Sequence, residues 1–367
     1  MDDEIINPLF MMYSTECDQY SAQIWFGTFF PFVPKLSTKT RISYKPINDR
    51  PYTRSVTTKF TEKASDWQFV LPAAKQAWYQ RKVVGGLQPG IEYIFTLQAL
   101  IKNKWQSLSQ CYATTLPEKL PATGDDSFTV SLSSCFYEDN DEGRVSKTFK
   151  KLYSNKENKP NLKFIVGDIV YADIGIPALT RLSTKEIRGW FLNAYATNFK
   201  ALRGMLRRGS NFIITDDHEF YNDYPFKPSK LPTLIALATI DGYRSTWTKV
   251  AKNCASNALN TFATRFINIG KDLSFCIADL RYLRTKDKLL PERYFNNILV
   301  WAKKLKCPGV LVVPQLVMRG KGDGYDHNLA DYKTQYSSLI KARILVISAP
   351  HQFMQLMPSE YKPLQAS

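Results

Sequence analysis

The chain has 367 residues, of which 44% are hydrophobic and 13% aromatic, and its formal net charge is +16. This length and apolar content predict about two folded domains and exclude a chain that is disordered throughout. The excess of Lys and Arg, 49 against 33 acidic residues, favours an anionic partner such as a phosphoester, nucleic acid or an acidic membrane surface, and a lysine-coated surface without a ligand is the alternative.

The first residues, MDDEIINPLFMMYSTE, lack the basic and apolar regions of a secretory signal. No apolar run in the sequence approaches the roughly 18 residues of a membrane span. The 6 cysteines are scattered and form no CxxC pair, which is typical of a reducing compartment. These features predict a cytoplasmic protein, although secretion without a leader would leave the same pattern.

Short alternations of apolar and polar residues, separated by Pro, Gly, Asn and Asp, run from Ser21 to about Thr115. They predict an all-β sandwich. Within them, VVGGLQPGIEYIFTLQAL resembles the Pro-Gly corner before a strand in fibronectin type III and immunoglobulin-like domains. The segment LPEKLPATGDD (116–126) has no periodicity and predicts a boundary between domains at 1–120 and 125–367.

Beyond this boundary, strand-like apolar runs alternate with longer helical patterns, which predicts a layered α/β domain. Ligand sites in such folds form at the carboxyl ends of the strands. Four runs end in metal-binding residue types: at Cys135, in GDIVYAD (167–173), in DDHE (216–219) and at His351. Their oxygen ligands suit Ca²⁺, Mg²⁺ or Fe³⁺, and thiolate with phenolate favours iron. A buried structural thiol at Cys135 and a helix N-cap at DDHE are the alternatives.

The segments SLSSC, FIVGDIVYAD, ITDDHEFYND and ADLRYLR, followed by the strand that ends at His351, occur in the order and approximate spacing found in one known family. Together they resemble PhoD-type alkaline phosphatases, which are distant relatives of the calcineurin-like metallophosphoesterases. The resemblance covers the chain from about Ser21 onward. It implies an α/β metallophosphatase domain preceded by an immunoglobulin-like sandwich.

The resemblance also assigns roles to individual residues. It implies an iron-type site built from Cys135, Asp168 and Tyr171, in which Asp168 bridges two cations. Asp217 falls on a metal-binding position of the wider superfamily, and His218 on the histidine that faces the phosphate and its leaving group.

A second, calcium-like position would involve Asn222 or the neighbouring Asp223, with His351 as a further metal ligand. Arg281 is placed near the cleft, where it could pair with phosphate, and an ion pair within the fold is its alternative. The main departure from the family is ISAPH (347–351), in which Ala349 stands where the family has an aspartate.

These assignments predict a metal-dependent enzyme that hydrolyses phosphomonoesters or phosphodiesters through a metal-activated hydroxide. Iron and calcium are the metals that the resemblance implies, with manganese or magnesium as alternatives. Ala349 supports a second hypothesis, a degenerate phosphatase fold that binds a phosphorylated ligand or partner without turnover. A third is an interaction protein whose β-sandwich recognises the partner.

Overall fold

The computed structural model describes residues 7, 9–28, 39–47, 54–59, 68–69, 78–121, 127–155, 159–174, 181–226, 240–314 and 345–347. Over these ranges the N-terminal part consists of β-strands, and the remainder alternates strands with helices. The predicted mixed α/β class is therefore confirmed. None of the helices in these ranges is both long enough and apolar enough to cross a membrane.

The N-terminal strands form two antiparallel four-stranded sheets. Their bounds are β1 Met11–Cys17, β2 Ser21–Gly27, β3 Lys39–Pro46, β4 Arg54–Lys59, β5 Gln68–Phe69, β6 Trp78–Gly85, β7 Glu92–Ile101 and β8 Lys104–Thr114. One sheet has the order β1-β2-β6-β5 and the other β4-β3-β7-β8. Ile24 of the first sheet and Ile42 and Phe95 of the second belong to the same buried cluster. Both sheets thus contribute side chains to one buried cluster, which also includes residues of later strands such as Phe164.

The remaining elements form two further sheets and the helices that cover them. Their bounds are β9 Val130–Ser133, α1 Glu138–Asp141, α2 Arg144–Ser154, β10 Leu162–Val166, α3 Thr184–Ala201, α4 Arg203–Leu206, β11 Asn211–Ile214, α5 Asp241–Leu259, β12 Thr264–Ile269, β13 Leu273–Ala278, α6 Glu292–Lys304, β14 Gly309–Val312 and β15 Leu345–Ile347. Strands β9, β10 and β11 pair in parallel with β10 in the centre. Strands β13, β14 and β15 are also parallel, and β12 joins β13 in antiparallel pairing. The parallel pairing brings the carboxyl ends of β9, β10 and β11 to one edge.

Helix α3 shows how local sequence fixes an element next to this edge. Ser183 and Glu186 form a reciprocal capping box at its first turn, which satisfies backbone N–H groups that have no partner inside the helix. Ile187 and Phe191 lie one helical turn apart on its buried face. The Phe191 ring packs 5.1 Å from the ring of Trp247 on α5, measured between ring centroids. The two helices therefore cover the sheet with their apolar faces.

The hydrophobic cores continue across the boundary predicted at residues 116–126. Met12 belongs to the cluster that includes Phe164 of β10, whereas Tyr13 belongs to the cluster formed with the helices. The Tyr13 hydroxyl donates a hydrogen bond to the carbonyl oxygen of Ala258 at 2.5 Å, and the Trp25 indole N–H donates to the carbonyl oxygen of Asn257 at 3.0 Å. Strand β1 is thus buried on both faces, and the N-terminal sheets pack tightly against the α/β part.

Candidate metal centre

The site residues predicted from sequence come together where β9, β10 and β11 end. The backbone N–H of Cys135, which follows β9, donates to the carbonyl oxygen of Gly167 at 3.3 Å. The next N–H, of Phe136, donates to the carbonyl oxygen of Asp168 at 2.8 Å. Candidate ligand atoms of Asp168, Asp217 and His218 all lie within 4.8 Å of one another, and all three residues are buried. The structure therefore places the ends of three strands around one acidic pocket.

Gly167 permits the close approach of the two acidic loops. Its φ angle is +91°, a conformation that side chains with a Cβ rarely adopt. A Cβ placed on it would lie 2.3 Å from the Cβ of Asp216 and 2.8 Å from the Asp216 backbone nitrogen. The following residue, Asp168, also has a positive φ, of 52°. Backbone conformations of this kind cost free energy and persist only where the surrounding structure holds them in place. They are typical of functional sites.

Asp168 is the centre of the predicted ligand set. The Tyr171 hydroxyl donates to its Oδ2 at 3.4 Å, and the Cys135 Sγ lies 3.5 Å from the same oxygen. Its other oxygen, Oδ1, is buried and has no hydrogen-bond partner among the residues that the structure describes. Burial and the nearby Asp217 carboxylate raise the pKa of Asp168 well above its usual value, although His218 opposes the shift. A buried carboxylate oxygen without a donor is costly, and a cation at this position would satisfy it.

The other predicted ligands are consistent with this chemistry. Burial, followed by the charge of Asp168, raises the pKa of the Cys135 thiol to about 12 and that of the Tyr171 hydroxyl beyond its usual value. Both groups would therefore stay protonated next to Asp168 unless a positive charge compensated them. A bound metal deprotonates a coordinating thiol outright. The residue set thus fits a transition-metal cation.

Glu219 is a positioning residue that sequence reasoning did not identify. Its fully buried carboxylate accepts hydrogen bonds from four backbone N–H groups, those of Asp168, Ile169, Val170 and Asp216, at 2.6 to 3.1 Å. Burial raises its pKa to about 8, and these N–H donors oppose the shift. The carboxylate thereby joins the two acidic loops. The D-x-x-E spacing of Asp216 and Glu219 is a capping-box signal, and it could have indicated this inward orientation.

His218 is held by Asp173, which sequence analysis had named only as part of the GDIVYAD motif. The two Asp173 oxygens lie 2.8 and 3.0 Å from the Nδ1 of His218. Burial alone would lower the pKa of His218, but the bond to Asp173 and the surrounding carboxylates outweigh burial and raise it to about 11. The ring also packs against Tyr171, with centroids 4.3 Å apart. The arrangement fixes both the orientation and the positive charge of the imidazole.

The loop after the acidic motif is tied back to the same groups. The backbone N–H of Asn222 donates to Asp173 at 2.7 Å, and the backbone N–H of Asp223 donates to Asp217 at 2.8 Å. The Asn222 side chain donates to the Asp223 carboxylate at 2.9 Å. Asn222 is thus next to the candidate ligands, and its role as a ligand stays a prediction.

Arg281 is fully enclosed and does not line an open cleft. Its Nε donates to Asp216 Oδ1 at 2.5 Å, and its guanidinium also bonds to the Tyr224 carbonyl oxygen. Asp279 accepts the backbone N–H groups of Thr215 at 2.9 Å and of Arg281 at 3.0 Å. Direct contact between Arg281 and a phosphate stays a prediction, and this geometry favours the ion-pair alternative. His351 and Ala349 lie outside the described residues.

Three comparisons with known proteins place these observations in context. No protein-family model matches the chain, and no curated protein matches it. Among solved structures, the structure of PhoD matches with a TM-score of 0.66 at 14% sequence identity, and the match covers 95% of this chain and 72% of that chain. Human fibronectin type III domains cover 32% and 35% of this chain with TM-scores of 0.21 and 0.23, which are too low to support an argument. The resemblance to PhoD predicted from the motifs is therefore confirmed in the fold.

Proposed function

We propose that the protein is a metal-dependent phosphoric ester hydrolase that acts on phosphomonoesters or phosphodiesters. One observation carries the proposal: on a PhoD-like fold, ligand atoms of Asp168, Asp217 and His218 converge within 4.8 Å, and within the described part of the chain Asp168 keeps a buried oxygen without a hydrogen-bond partner. The basic net charge of the chain would favour the approach of an anionic substrate.

The residues around Asp168 would hold the cations. Asp168 supplies one oxygen on the side of Cys135 and Tyr171 and a second oxygen to which no described residue donates. The thiol and phenol favour iron at the first position, and the oxygen ligands of Asp217 and Asn222 favour calcium at the second, with manganese or magnesium as alternatives. When bound, such cations supply Lewis-acid stabilisation of the phosphoryl oxygens and activate water for attack.

His218 would act as the general acid for the leaving oxygen. Because Nδ1 is bound to Asp173, Nε2 is the ring nitrogen that would donate a proton. Asp173 would keep the ring in this orientation through the reaction. Glu219 and Arg281 would act indirectly, because they hold the two acidic loops at a fixed separation.

We also propose that the two N-terminal sheets form an immunoglobulin- or fibronectin-like sandwich within residues 1–120, followed by the metallophosphatase domain at 125–367. Their antiparallel pairing and common core support this arrangement. The core that continues into the α/β part makes the sandwich an integral support of that domain.

The test combines elemental analysis with a panel of phosphomonoester and phosphodiester substrates. The wild-type protein should purify with about one or more cations per chain and should hydrolyse at least one ester class. Asp168→Asn should lose both metal and hydrolysis while it stays folded, because an amide cannot replace the charge of the carboxylate. Asp287→Asn, at an exposed position outside the site, is the matched control. A wild-type protein that binds no cation would refute the proposal, and one that binds cations without turnover would favour the degenerate binding protein.

A further inference from the structure

A groove of about 650 Å³ lies between helix α5 and the loop at residues 221–225. Tyr221 and Tyr224 of the loop line one side, together with Tyr282 from the segment after β13. Helix α5 lines the other side with three cationic side chains, Arg244, Lys249 and Lys252, and with polar side chains between them.

The charges in this groove are not balanced. Arg244 forms an ion pair with Asp241, which is the only acidic residue among the described residues of the lining. Neither Lys249 nor Lys252 has an ion-pair partner in the part of the chain that the structure describes. The groove therefore carries an excess of two positive charges on adjacent turns of one helix.

Lys252 differs from Lys249 in that its side chain is half-buried. Its Nζ lies 5.6 Å from the ring centroid of Tyr224 and 5.5 Å from that of Tyr282. Burial lowers the pKa of its ammonium group, and the charge of Asp279 opposes this shift without cancelling it. An anion in the groove would compensate further for the hydration that the ammonium group has lost.

The groove and the candidate metal centre lie on opposite sides of the same loop. The Tyr221 side chain lines the groove and bonds to Thr248 of α5, whereas the next backbone N–H, of Asn222, points to Asp173 of the metal centre. The Trp247 indole N–H donates to the Phe220 carbonyl oxygen at 2.6 Å and fixes this loop to α5. A ligand in the groove would therefore occupy a place separate from the acidic pocket.

We propose that this groove is a second anion site, which binds a phosphate dianion independently of the metal centre. The dianion would be free orthophosphate or the phosphate group of a larger molecule. Lys249 and Lys252 supply two charges that match it, and the hydroxyl of Ser245 is a hydrogen-bond donor of the kind that phosphate oxygens accept. The inference does not depend on hydrolysis at the metal centre.

The test is calorimetric titration of the full-length protein with inorganic phosphate and, separately, with phenylphosphonate. The proteins compared are the wild type, the metal-centre variant Asp168→Asn, the groove variant Lys249→Gln/Lys252→Gln and the control Lys271→Gln. Lys271 is exposed in the turn between β12 and β13 and takes no part in the groove.

We expect a binding event that survives in Asp168→Asn and Lys271→Gln and is weakened at least about tenfold in Lys249→Gln/Lys252→Gln, as is typical when a hydrogen bond to a charged group is lost. Because Lys249 is exposed, Lys249→Gln alone keeps the test decisive if the double variant does not fold. Phosphate binding without phenylphosphonate binding identifies orthophosphate as the ligand, and equal or tighter phenylphosphonate binding identifies the phosphate group of a larger molecule.

The proposal is overturned if no phosphate binds, if all binding is lost in Asp168→Asn, or if binding is unchanged in the lysine variants. A wild-type protein that hydrolyses no phosphoester would contradict the proposed function and leave the groove result standing. The experiments can therefore refute the proposed hydrolase activity without refuting phosphate binding in the groove, and the reverse.

Discussion

Gly167→Ala tests whether the close approach of the two acidic loops creates the metal centre. Gly167 has a φ angle of +91°, and an added Cβ would lie 2.8 Å from the Asp216 backbone nitrogen. The substitution should destabilise the fold and displace Asp168, which is the next residue in the chain. Both effects follow from adding one methyl group.

The magnitude has two parts. A residue with a Cβ in this backbone conformation costs about 1–3 kcal/mol. Insertion of a methyl group against backbone that cannot rotate away costs about 1–3 kcal/mol more, as in other overpacked positions. The free energy of unfolding should therefore fall by at least about 2 kcal/mol. A displacement of Asp168 by about 1 Å would also lower kcat/KM about 100-fold.

Gly189→Ala is the matched control, because Gly189 lies in α3 and a Cβ on it would meet nothing within 4 Å. In a helix, the same change should raise the free energy of unfolding by about 0.5–1 kcal/mol. The measurements are urea denaturation, metal content and phosphoester hydrolysis for both variants. If Gly167→Ala matched the wild type in stability, metal content and activity, the loops at Gly167 and Asp216 would not be in contact. Their close approach would then not be what forms the metal centre.

Four further predictions concern other parts of the molecule. Asp173→Asn should lower kcat about 100- to 10,000-fold with little change in metal content, because His218 loses the carboxylate that orients it. An unchanged kcat would contradict an orienting role of Asp173. Glu219→Gln should lower the free energy of unfolding in urea by about 2 kcal/mol or more, because the new amide NH₂ would face backbone N–H donors. The control Glu142→Gln, at an exposed position, should change this free energy by less than about 0.5 kcal/mol. A fragment that starts at Asp125 should be insoluble, or should lack fixed tertiary packing when measured by circular dichroism, because it exposes the core that is shared with β1. A cooperative unfolding transition of the fragment would refute this prediction. Ala349→Asp should shift a calcium or manganese titration of hydrolysis to lower metal concentration, and a destabilised variant without this shift would count against a metal position there.

The sequence by itself determined the order of the elements and the chemistry at the strand ends. The alternation of strand and helix patterns predicted an α/β part, and the runs that end at Cys135, Asp168 and Asp217 are the parallel strands whose ends meet in the structure. This could be predicted because the side-chain period is a local property and because parallel strands place their carboxyl ends at one edge.

The tertiary structure alone decided which groups those residues face. Glu219 turns inward onto four backbone N–H groups, and Arg281 binds Asp216 inside the protein, although both are charged residues that usually face solvent. A charged residue is buried only where enough hydrogen-bond partners converge on it, and those partners come from segments up to 65 residues away in the chain.

The N-terminal strand β1 shows the same limit for the core. The strand alternations recognised in the sequence begin at Ser21 and do not include β1, and the structure buries Met12 in one cluster and Tyr13 in another. Apolar periodicity indicates that a face will be covered and carries no information about the element that covers it. The partner is decided by which surfaces of the rest of the protein fit the strand, because hydrophobic burial is non-directional and selects partners only through shape and area.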